Sequence, residues 1–471
     1  MSVPQKTLSV SDVSTIDALA AGLTGDLIRP SDAEWDRARG AWQLLADQQP
    51  VAVVTAADRN DVALTVRAAT ALGLRVAPQS TGHNATPLGD LSRTILLRTG
   101  ALNGIDVDAD ARIARVEAGV RCGDLTATAA AAGLTPIGGF SADVGVVGLV
   151  LGGGLGWFAR SHATARASVL ELELVTADGV IRHVRIGDEL FDLVLTGADI
   201  AVITALTLRL HPIGDVVAGT LFWPVESTRE ILRAWTTWTA TSPETVTSVA
   251  RALRFPAAPD VPPIFAGRSF VVIEAVLQTD PATANTLLAP LRELSPQLDT
   301  FDVTAPSALA GLHMDPPVPV PARGYSAILS TVPADAIADA VTGPAATLTS
   351  VELRQLGGAL DRDPSALTDS AALLFAVAVI TDPASAESAT AGFRALTTAI
   401  APAHSNRDLT SFTESPTDPA RLFGEDLSRL RSTKDRWDAA DVIHANHPVQ
   451  ALRIPQSQQA APETDCPGMA M

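Results

Sequence analysis

The sequence predicts an α+β chain of more than one domain, and three stretches carry that reading. Between residues 51 and 77 an apolar run, a helical stripe and a second apolar run follow one another with short connections. Over 169–184 two alternating runs meet at Ala177-Asp178-Gly179, the pattern of an antiparallel hairpin. From about Leu221 to Pro402, strand-like and helical patterns alternate around what reads as one sheet.

Composition fits. The chain has 471 residues, 47% of them apolar and 18% charged, enough for two or three cored domains. Its net charge of −18, without an acidic block, argues against a nucleic-acid surface. No apolar run reaches the length of a membrane span, and no basic region followed by an apolar run opens the chain. A cytoplasmic protein is therefore expected. Cys122 and Cys466 are too few for a disulfide framework, and no Cys/His spacing suits a metal.

In chain order, Asp32 to Leu45 reads as a helix and Val51 to Thr55 as a strand. Asn60 or Asp61 is expected to cap a helix with apolar positions Val62, Leu64, Val66, Ala69 and Leu72, ending at Gly73. Leu74 to Ala77 is the next strand, parallel to the first, with Pro78 stopping it. Gln79, Ser80, Thr81 and Gly82 then lead to His83 and Asn84. Small residues after a strand C-terminus expose main-chain N–H groups that can cradle a phosphate, and a histidine placed there lies beside the bound ligand.

Strands are expected at Thr94–Leu97 and Ile113–Ala118, and a helix at Gly123–Ala132. The stretch 138–156 is then dense in glycine, which weakens any regular element and suggests close approach of a large planar or phosphorylated ligand. Gly154-x-Gly156-x-x-Ala159 also matches a dinucleotide fingerprint, with Glu171, Glu173 or Asp178 near the acidic position. The following residues lack a helical stripe and enter the hairpin, so the βαβ context that fingerprint needs is missing. Glu189–Leu195 reads as a helix and Ala201–Leu210 as a strand, before a boundary at Pro212 and Gly214. Beyond it, strands are expected at Phe270–Leu277, Tyr325–Thr331, Ser350–Leu356 and Leu373–Ile380, and helices at Pro281–Leu294 and Ser385–Ile400. Residues 420–437 read as one amphipathic helix, and those from 451 as a loose tail.

Taken in this order, the pieces resemble the FAD-linked oxidases of the vanillyl-alcohol oxidase superfamily, in its berberine-bridge-enzyme-like branch, over about residues 25–450. Thr81-Gly82-His83 is similar to that family's Gly-Gly-His, and Val144 to Gly156 to its second FAD loop. Leu174 to Gly179 is similar to its hairpin, Leu353 to Leu360 to its substrate-domain strand, and Leu430–Lys434 with Ile443–Val449 to its C-terminal signature. The resemblance implies a PCMH-type FAD-binding domain of two α/β subdomains built from both chain ends, with an inserted α/β substrate domain on an antiparallel sheet. The implied divisions are 1–213, 214–408 and a return at 409–450, followed by the tail 451–471. It implies FAD bound covalently through His83, with Gln79, Ser80, Thr81, Gly82, Asn84, Gly89, Ser141, Val144, Gly145, Gly148, Gly152, Gly153, Gly154, Gly156, Ile203 and Asn446 around the cofactor.

There are departures. Ser141 stands where many relatives carry a second, cysteinyl link to the flavin, so one covalent link is expected. The family's aromatic and Asn near the C-terminal substrate wall are replaced by Leu409-Thr-Ser-Phe412, and Ala371-Ala372 stand near a usual His-Arg pair. Tyr325 is the one tyrosine of the chain. On the substrate strand Val351, Leu353 and Gln355 share one face, and Glu352 and Arg354 the other. Gln355 is favoured as the wall over the flavin, Arg354 less so, with Glu352 and Arg354 alternatively a structural pair and Tyr325 a possible phenol donor. Asp199, His162 and His313 belong to no pattern and read as structural or exposed. The implied function is an oxidase passing hydride from a small alcohol, sugar, amine or secondary-metabolite substrate to FAD, with dioxygen as acceptor. The alternatives are a flavin-bound dehydrogenase, a non-redox cyclase and a silent binding protein.

Overall fold

The computed structural model describes residues 15–259, 261–316, 318–362 and 367–450. The N-terminal reading, Cys466 and the tail from 451 fall outside them. Three sheets make up the fold. The first is formed by β1 (Asp26–Ile28), β2 (Ala52–Thr55), β3 (Arg75–Gln79) and β4 (Thr94–Arg98) in the order β1-β2-β4-β3. β2 and β3 are both parallel to β4, which lies between them, so the expected parallel strands are not neighbours. The connecting helix, Arg59–Leu72, buries Val62, Val66 and Ala69. Its cap is Asp58, whose side chain accepts from the N–H groups of Asn60 and Asp61, and Gly73 closes it at φ 64°. Asp61 is otherwise engaged: its buried carboxylate accepts from the N–H groups of Thr24, Gly25 and Ala57. The helix expected over Asp32–Leu45 shrinks to Trp35–Arg39, because Gly40 turns to extended backbone.

The second sheet contains β5 (Ile105–Asp108), β6 (Ile113–Glu117), β7 (Thr135–Pro136), β8 (Val169–Thr176), β9 (Ile181–Arg185) and β10 (Ala201–His211). β8 and β9 form the expected antiparallel hairpin. Glu173 on β8 is spoken for by Arg59 and Arg115, so it does not serve a nucleotide ribose. Only the short helix Ala159–His162 follows the second glycine run, and the dinucleotide fingerprint is thereby set aside.

The third sheet is antiparallel throughout. It holds β11 (Val216–Pro224), β12 (Val246–Arg254), β13 (Ser269–Leu277), β14 (Leu298–Asp299), β15 (Asp302–Thr304), β16 (Ala322–Leu329), β17 (Ser350–Gln355) and β18 (Ala372–Val379), ordered β14-β11-β13-β12-β17-β18-β16, with β15 beside β11. One face carries Ile273, Ala250, Val351, Leu353 and Leu374 against the helices Thr228–Thr239, Pro281–Arg292, Ala334–Thr342 and Pro383–Ile400. The opposite face presents Val249, Val276, Ile328 and Leu373, and these join one core with Leu174 of the second sheet and with Phe140 and Trp157 from the connection between β7 and β8. The third sheet is thus buried on both faces, by helices behind and by the second sheet's domain in front.

The chain then returns. The expected single helix over 420–437 is broken at Gly424 (φ 54°) into Pro419–Phe423 and Leu427–Trp437. After it, Ile443 pairs in parallel with Val76 and extends the first sheet beyond β3. Lys434 fastens this return. Its ammonium, 2% exposed as a side chain, lies 2.6 Å from Asp438, 3.1 Å from Asp199 and 3.2 Å from Asp441. It also donates to the carbonyls of Asp199 and Ile443 at 2.7 and 2.8 Å. Asp199 is therefore structural, as read. Among the described residues no helix is long and apolar enough to cross a membrane.

Removing one member of a buried ion cluster costs about 3–5 kcal/mol, because the others are left uncompensated. Lys434→Met should lower the chemical-denaturation stability by that order, and Asp438→Asn by less. A Lys434→Met variant as stable as wild type would show that the cage does not hold the return.

Candidate active site

The first half of the site is the turn after β3. The strand runs through Pro78 to Gln79, two residues further than expected. Gly82 has φ 82°, and a Cβ there would lie 2.8 Å from that of Ala41, so only glycine fits. The Thr81 and Gly82 carbonyls accept from the N–H groups of Trp42 and Gln43. Among the described residues, the N–H groups of Thr81, Gly82 and His83 donate to no protein acceptor. The His83 ring stacks on Trp42 with centroids 4.5 Å apart, and its Nε2 is buried without a partner. Burial pulls its pKa down to about 4, against the opposing pull of the Asp143 main chain, so the imidazole is neutral at pH 7.

Around this turn the structure separates the expected cofactor residues. Ser80 faces the second loop, its Oγ 2.9 Å from where a Gly145 Cβ would be. Ser141 and Val144 are half-exposed at the mouth of that loop, and Gly148, in the short helix Val146–Leu151, is exposed with nothing within 4 Å of an added Cβ. The side chain of Gln79 is drawn elsewhere, into a buried pair with Gln48 that Arg98 joins, so only its main chain serves the turn. At Gly152, Gly154 and Gly156 protein fills the place of a side chain: Ser411 (2.5 Å), Ala165 (2.5 Å) and the Gly138 carbonyl (2.0 Å) lie where an added Cβ would be. Gly153 adopts φ 102° between them. Ile203 is buried on β10 opposite Leu174, and Gly89 is exposed at the end of the turn Thr86–Leu88 with φ 65°. Cys122 is buried, and burial pushes its thiol up to about 12, which leaves it unreactive.

Asn84 and Asn446 are ties. The Asn84 amide donates to the carbonyls of Thr410 and Thr413, both at 3.1 Å, while Asn446 donates to the Asn84 carbonyl. The segment 410–414 is thereby drawn against the His83 turn. Asn84 Oδ1 is left buried and unpartnered.

The other half of the site is the front face of the third sheet, and here the favoured face was the wrong one. Gln355 points back toward the helices, accepting from Ser248 Oγ at 3.2 Å and donating to the Thr239 carbonyl at 3.3 Å. Tyr325 also lies behind, packed with Phe393 at 6.3 Å, and burial raises its pKa. Glu352 and Arg354 face forward. They pair at 3.0 Å, and the Arg354 guanidinium lies 4.0 Å from the Phe140 ring and 4.7 Å from the Phe412 ring, with its Nε unpartnered. His313, which no pattern marked, is buried between Glu274 at 2.6 Å and Glu352 at 2.8 Å, and Arg251 closes the cluster at 3.4 Å from Glu274. Burial opposes the charge on His313, but the two carboxylates outweigh it and raise its pKa to about 9. Two charged residues at alternate positions of an apolar strand, and a lone Glu274 inside Phe270–Leu277, were the available signal. Glu414 also reaches this face, accepting from the Gly324 N–H at 2.7 Å.

With this geometry in hand, residues 50–185 match the family described as FAD binding domain. This segment is an FAD-binding domain. The chain is 30% identical over 210 residues to (R)-6-hydroxynicotine oxidase of Paenarthrobacter nicotinovorans, covering 44% of this chain and 46% of that one. It is 23% identical over 239 residues to the FAD-linked oxidoreductase YgaK of Bacillus subtilis, covering 48% and 52%. The chain thus spans about half the length of the curated relatives it matches. The likeness in fold extends further. The 6-hydroxy-D-nicotine oxidase structure from Arthrobacter nicotinovorans superposes with TM-score 0.78 at 23% identity over 89% of this chain and 96% of its own. The wild-type BBE-like 1 protein of Physcomitrella patens gives 0.80 at 18%, over 93% and 99%. The α+β fold with an antiparallel third sheet is therefore shared with these solved structures.

The His313 cluster makes stability pH-dependent. A histidine whose folded pKa is raised stabilises fully below its unfolded value of about 6.5 and loses that contribution as pH rises through the folded value. The urea midpoint of wild type should therefore fall between pH 6.5 and about 9. In His313→Gln that slope should flatten; an unchanged slope would place the titration elsewhere.

Proposed function

We propose that this chain is an FAD-dependent oxidoreductase, an oxidase of a small alcohol, sugar, amine or secondary-metabolite substrate, with FAD attached through His83 alone. The observation that carries this is His83 itself: a neutral ring with an unpartnered nitrogen, beside free main-chain N–H groups and the open Gly148. Those donors suit a pyrophosphate without a cluster of cations, in keeping with the acidic chain. Bound FAD supplies the two-electron acceptor for substrate oxidation and passes the electrons to dioxygen.

The chain's own residues do the rest. Thr81–His83 and Gly145–Gly148 hold the cofactor, and Trp42 keeps the His83 ring in one plane. A neutral imidazole keeps the lone pair that a bond to the flavin 8α-methyl requires. Ser141 has no thiol, which leaves His83 as the single point of attachment. Residues 214–408 cover the flavin with the front face of the third sheet, and 409–450 return to close the site. Arg354, Phe140 and Phe412 line the substrate space, with the Arg354 Nε as a free donor. The 30% identity to (R)-6-hydroxynicotine oxidase supports the oxidase reading.

Purified protein should be yellow. After acid precipitation, wild type should retain flavin fluorescence in a denaturing gel, and His83→Ala should lose it while still binding FAD. Protein without flavin absorbance after FAD is added would sink the reading; flavin released wholly by acid would reduce His83 to a neighbour. Anaerobic bleaching by substrate followed by recolouring in air marks the oxidase.

A further inference from the structure

We propose that Glu414 is the group that takes the O–H or N–H proton of the substrate as it is oxidised. This rests on the flavin reading above and names the base that reading lacks.

Position comes first. Asn84, next to His83, holds the Thr410 and Thr413 carbonyls, and Glu414 is the following residue. Its carboxyl reaches across to β16 and occupies the space of the side chain that Gly324 does not have: a Cβ there would lie 2.6 Å from the carboxyl carbon. Gly324 shares the forward face with Ser326, which stands opposite Phe375, and Phe375 in turn meets Phe412 at 5.3 Å. Glu414 therefore stands between the His83 turn and the sheet face that covers it.

Its partners come second. The Gly324 N–H donates to Oε2, and among the described residues Oε1 has no donor and the carboxylate no cation. Charges nearby are otherwise committed. Asp408 pairs with Arg421 at 2.7 Å, and Arg354 pairs with Glu352 behind Phe412. Arg323 is exposed, bonded to Thr390. His83 and His447 are driven neutral by burial. Asp315, which also acts on His83, is exposed. A carboxylate serving only structure would be expected to gain a cation or several N–H donors; this one has a single N–H. Burial raises its pKa to about 7, the range in which a base both accepts a proton and returns it to water.

The rivals fall away by geometry. Tyr325 and Gln355 face the helices, Glu352 is held well below the usual carboxylate range by Arg354 and His313 despite its burial, and His313 is already protonated. The step balances. The substrate C–H leaves as hydride to FAD, the O–H or N–H proton passes to the Glu414 carboxylate, and a C=O or C=N bond forms. Glu414 then releases the proton to water, and dioxygen takes the two electrons to become hydrogen peroxide.

The test uses flavin-loaded wild type, Glu414→Gln and Glu414→Asp. Carboxyl-13C glutamate labelling should show one resonance titrating near pH 7 in wild type and missing in Glu414→Gln. Anaerobic stopped-flow bleaching by benzyl alcohol and benzylamine should be about a hundred-fold or more slower in Glu414→Gln, with flavin content unchanged and partial recovery in Glu414→Asp. The wild-type rate should rise as pH rises through about 7, and the variant should lose that limb. A yellow Glu414→Gln enzyme that bleaches at the wild-type rate with the wild-type pH profile would overturn the proposal and leave the flavin reading standing. A colourless wild type would fail the flavin reading first.

Discussion

The ammonium of Lys434 holds two parts of the chain together that are more than 200 residues apart, bonding the Asp199 carbonyl across a separation of 235 positions. Asp199 lies between the helix Glu189–Leu195 and β10 and also accepts the Val449 N–H, while Asp438 accepts from Val442 and Ile443. Those last two bonds place Ile443 against Val76 on β3, the strand whose end is the His83 turn. Burial works against a charged lysine, yet the Asp199 and Asp438 carboxylates more than offset it, and its pKa is raised. The cage is therefore a charged, satisfied knot rather than a neutral amine in a core, and the site inherits its geometry from it. With the return fixed, Asn446 meets the Asn84 carbonyl and the 410–414 segment has one place to lie.

A second cluster governs the opposite wall. Arg251, Glu274, His313, Glu352 and Arg354 are buried together where the third sheet meets the flavin domain, below the rings of Phe140 and Trp157. Buried ion clusters add little net stability, since desolvation consumes most of the Coulomb gain. Their directional bonds do something apolar packing does not: they fix which face of a strand looks forward and where a guanidinium points. Arg354 is held by Glu352 from one side and by Phe140 and Phe412 from above, so its free Nε has a fixed direction.

How far the sequence reached follows from which forces are local. The hairpin over 169–184 and the helix Glu189–Leu195 were legible because alternation, turn residues and apolar period are properties of short windows. The glycine loop was legible as a place but not as a set of reasons. Gly152 yields to Ser411, far along the chain, and Gly154 and Gly156 to Ala165 and Gly138, contacts that no periodicity of the stretch marks. Gln355 was misread for a related cause. Strand alternation sorts β17 into two faces, but which one looks forward is settled by partners on β12, β13 and β18, and both faces are buried. Cores on both sides erase the polar–apolar contrast that would have decided it. His313 is the extreme case, because its meaning depends on Glu274 and Glu352, 39 residues before it in one case.

His83 and Glu414 share one physical logic. Both are pushed toward their neutral forms by burial, the first to about 4 and the second to about 7. Neither has an opposite charge bonded to it. In an acidic chain of net charge −18, a cationic cradle would be the obvious counterweight for a phosphate-bearing cofactor. The structure offers main-chain N–H groups and the open Gly148 instead, while Arg354 and Lys434 are held in ion pairs and Arg98 bonds the Gln79 side chain. A pocket built this way does not pin a nearby carboxylate in its ionised form, as a neighbouring arginine would. Desolvation can then set the carboxyl near neutrality, while the same desolvation keeps the histidine's lone pair free. Burial with no cation bonded to either group, among the described residues, thus allows both the bond expected at His83 and the proton transfer assigned to Glu414.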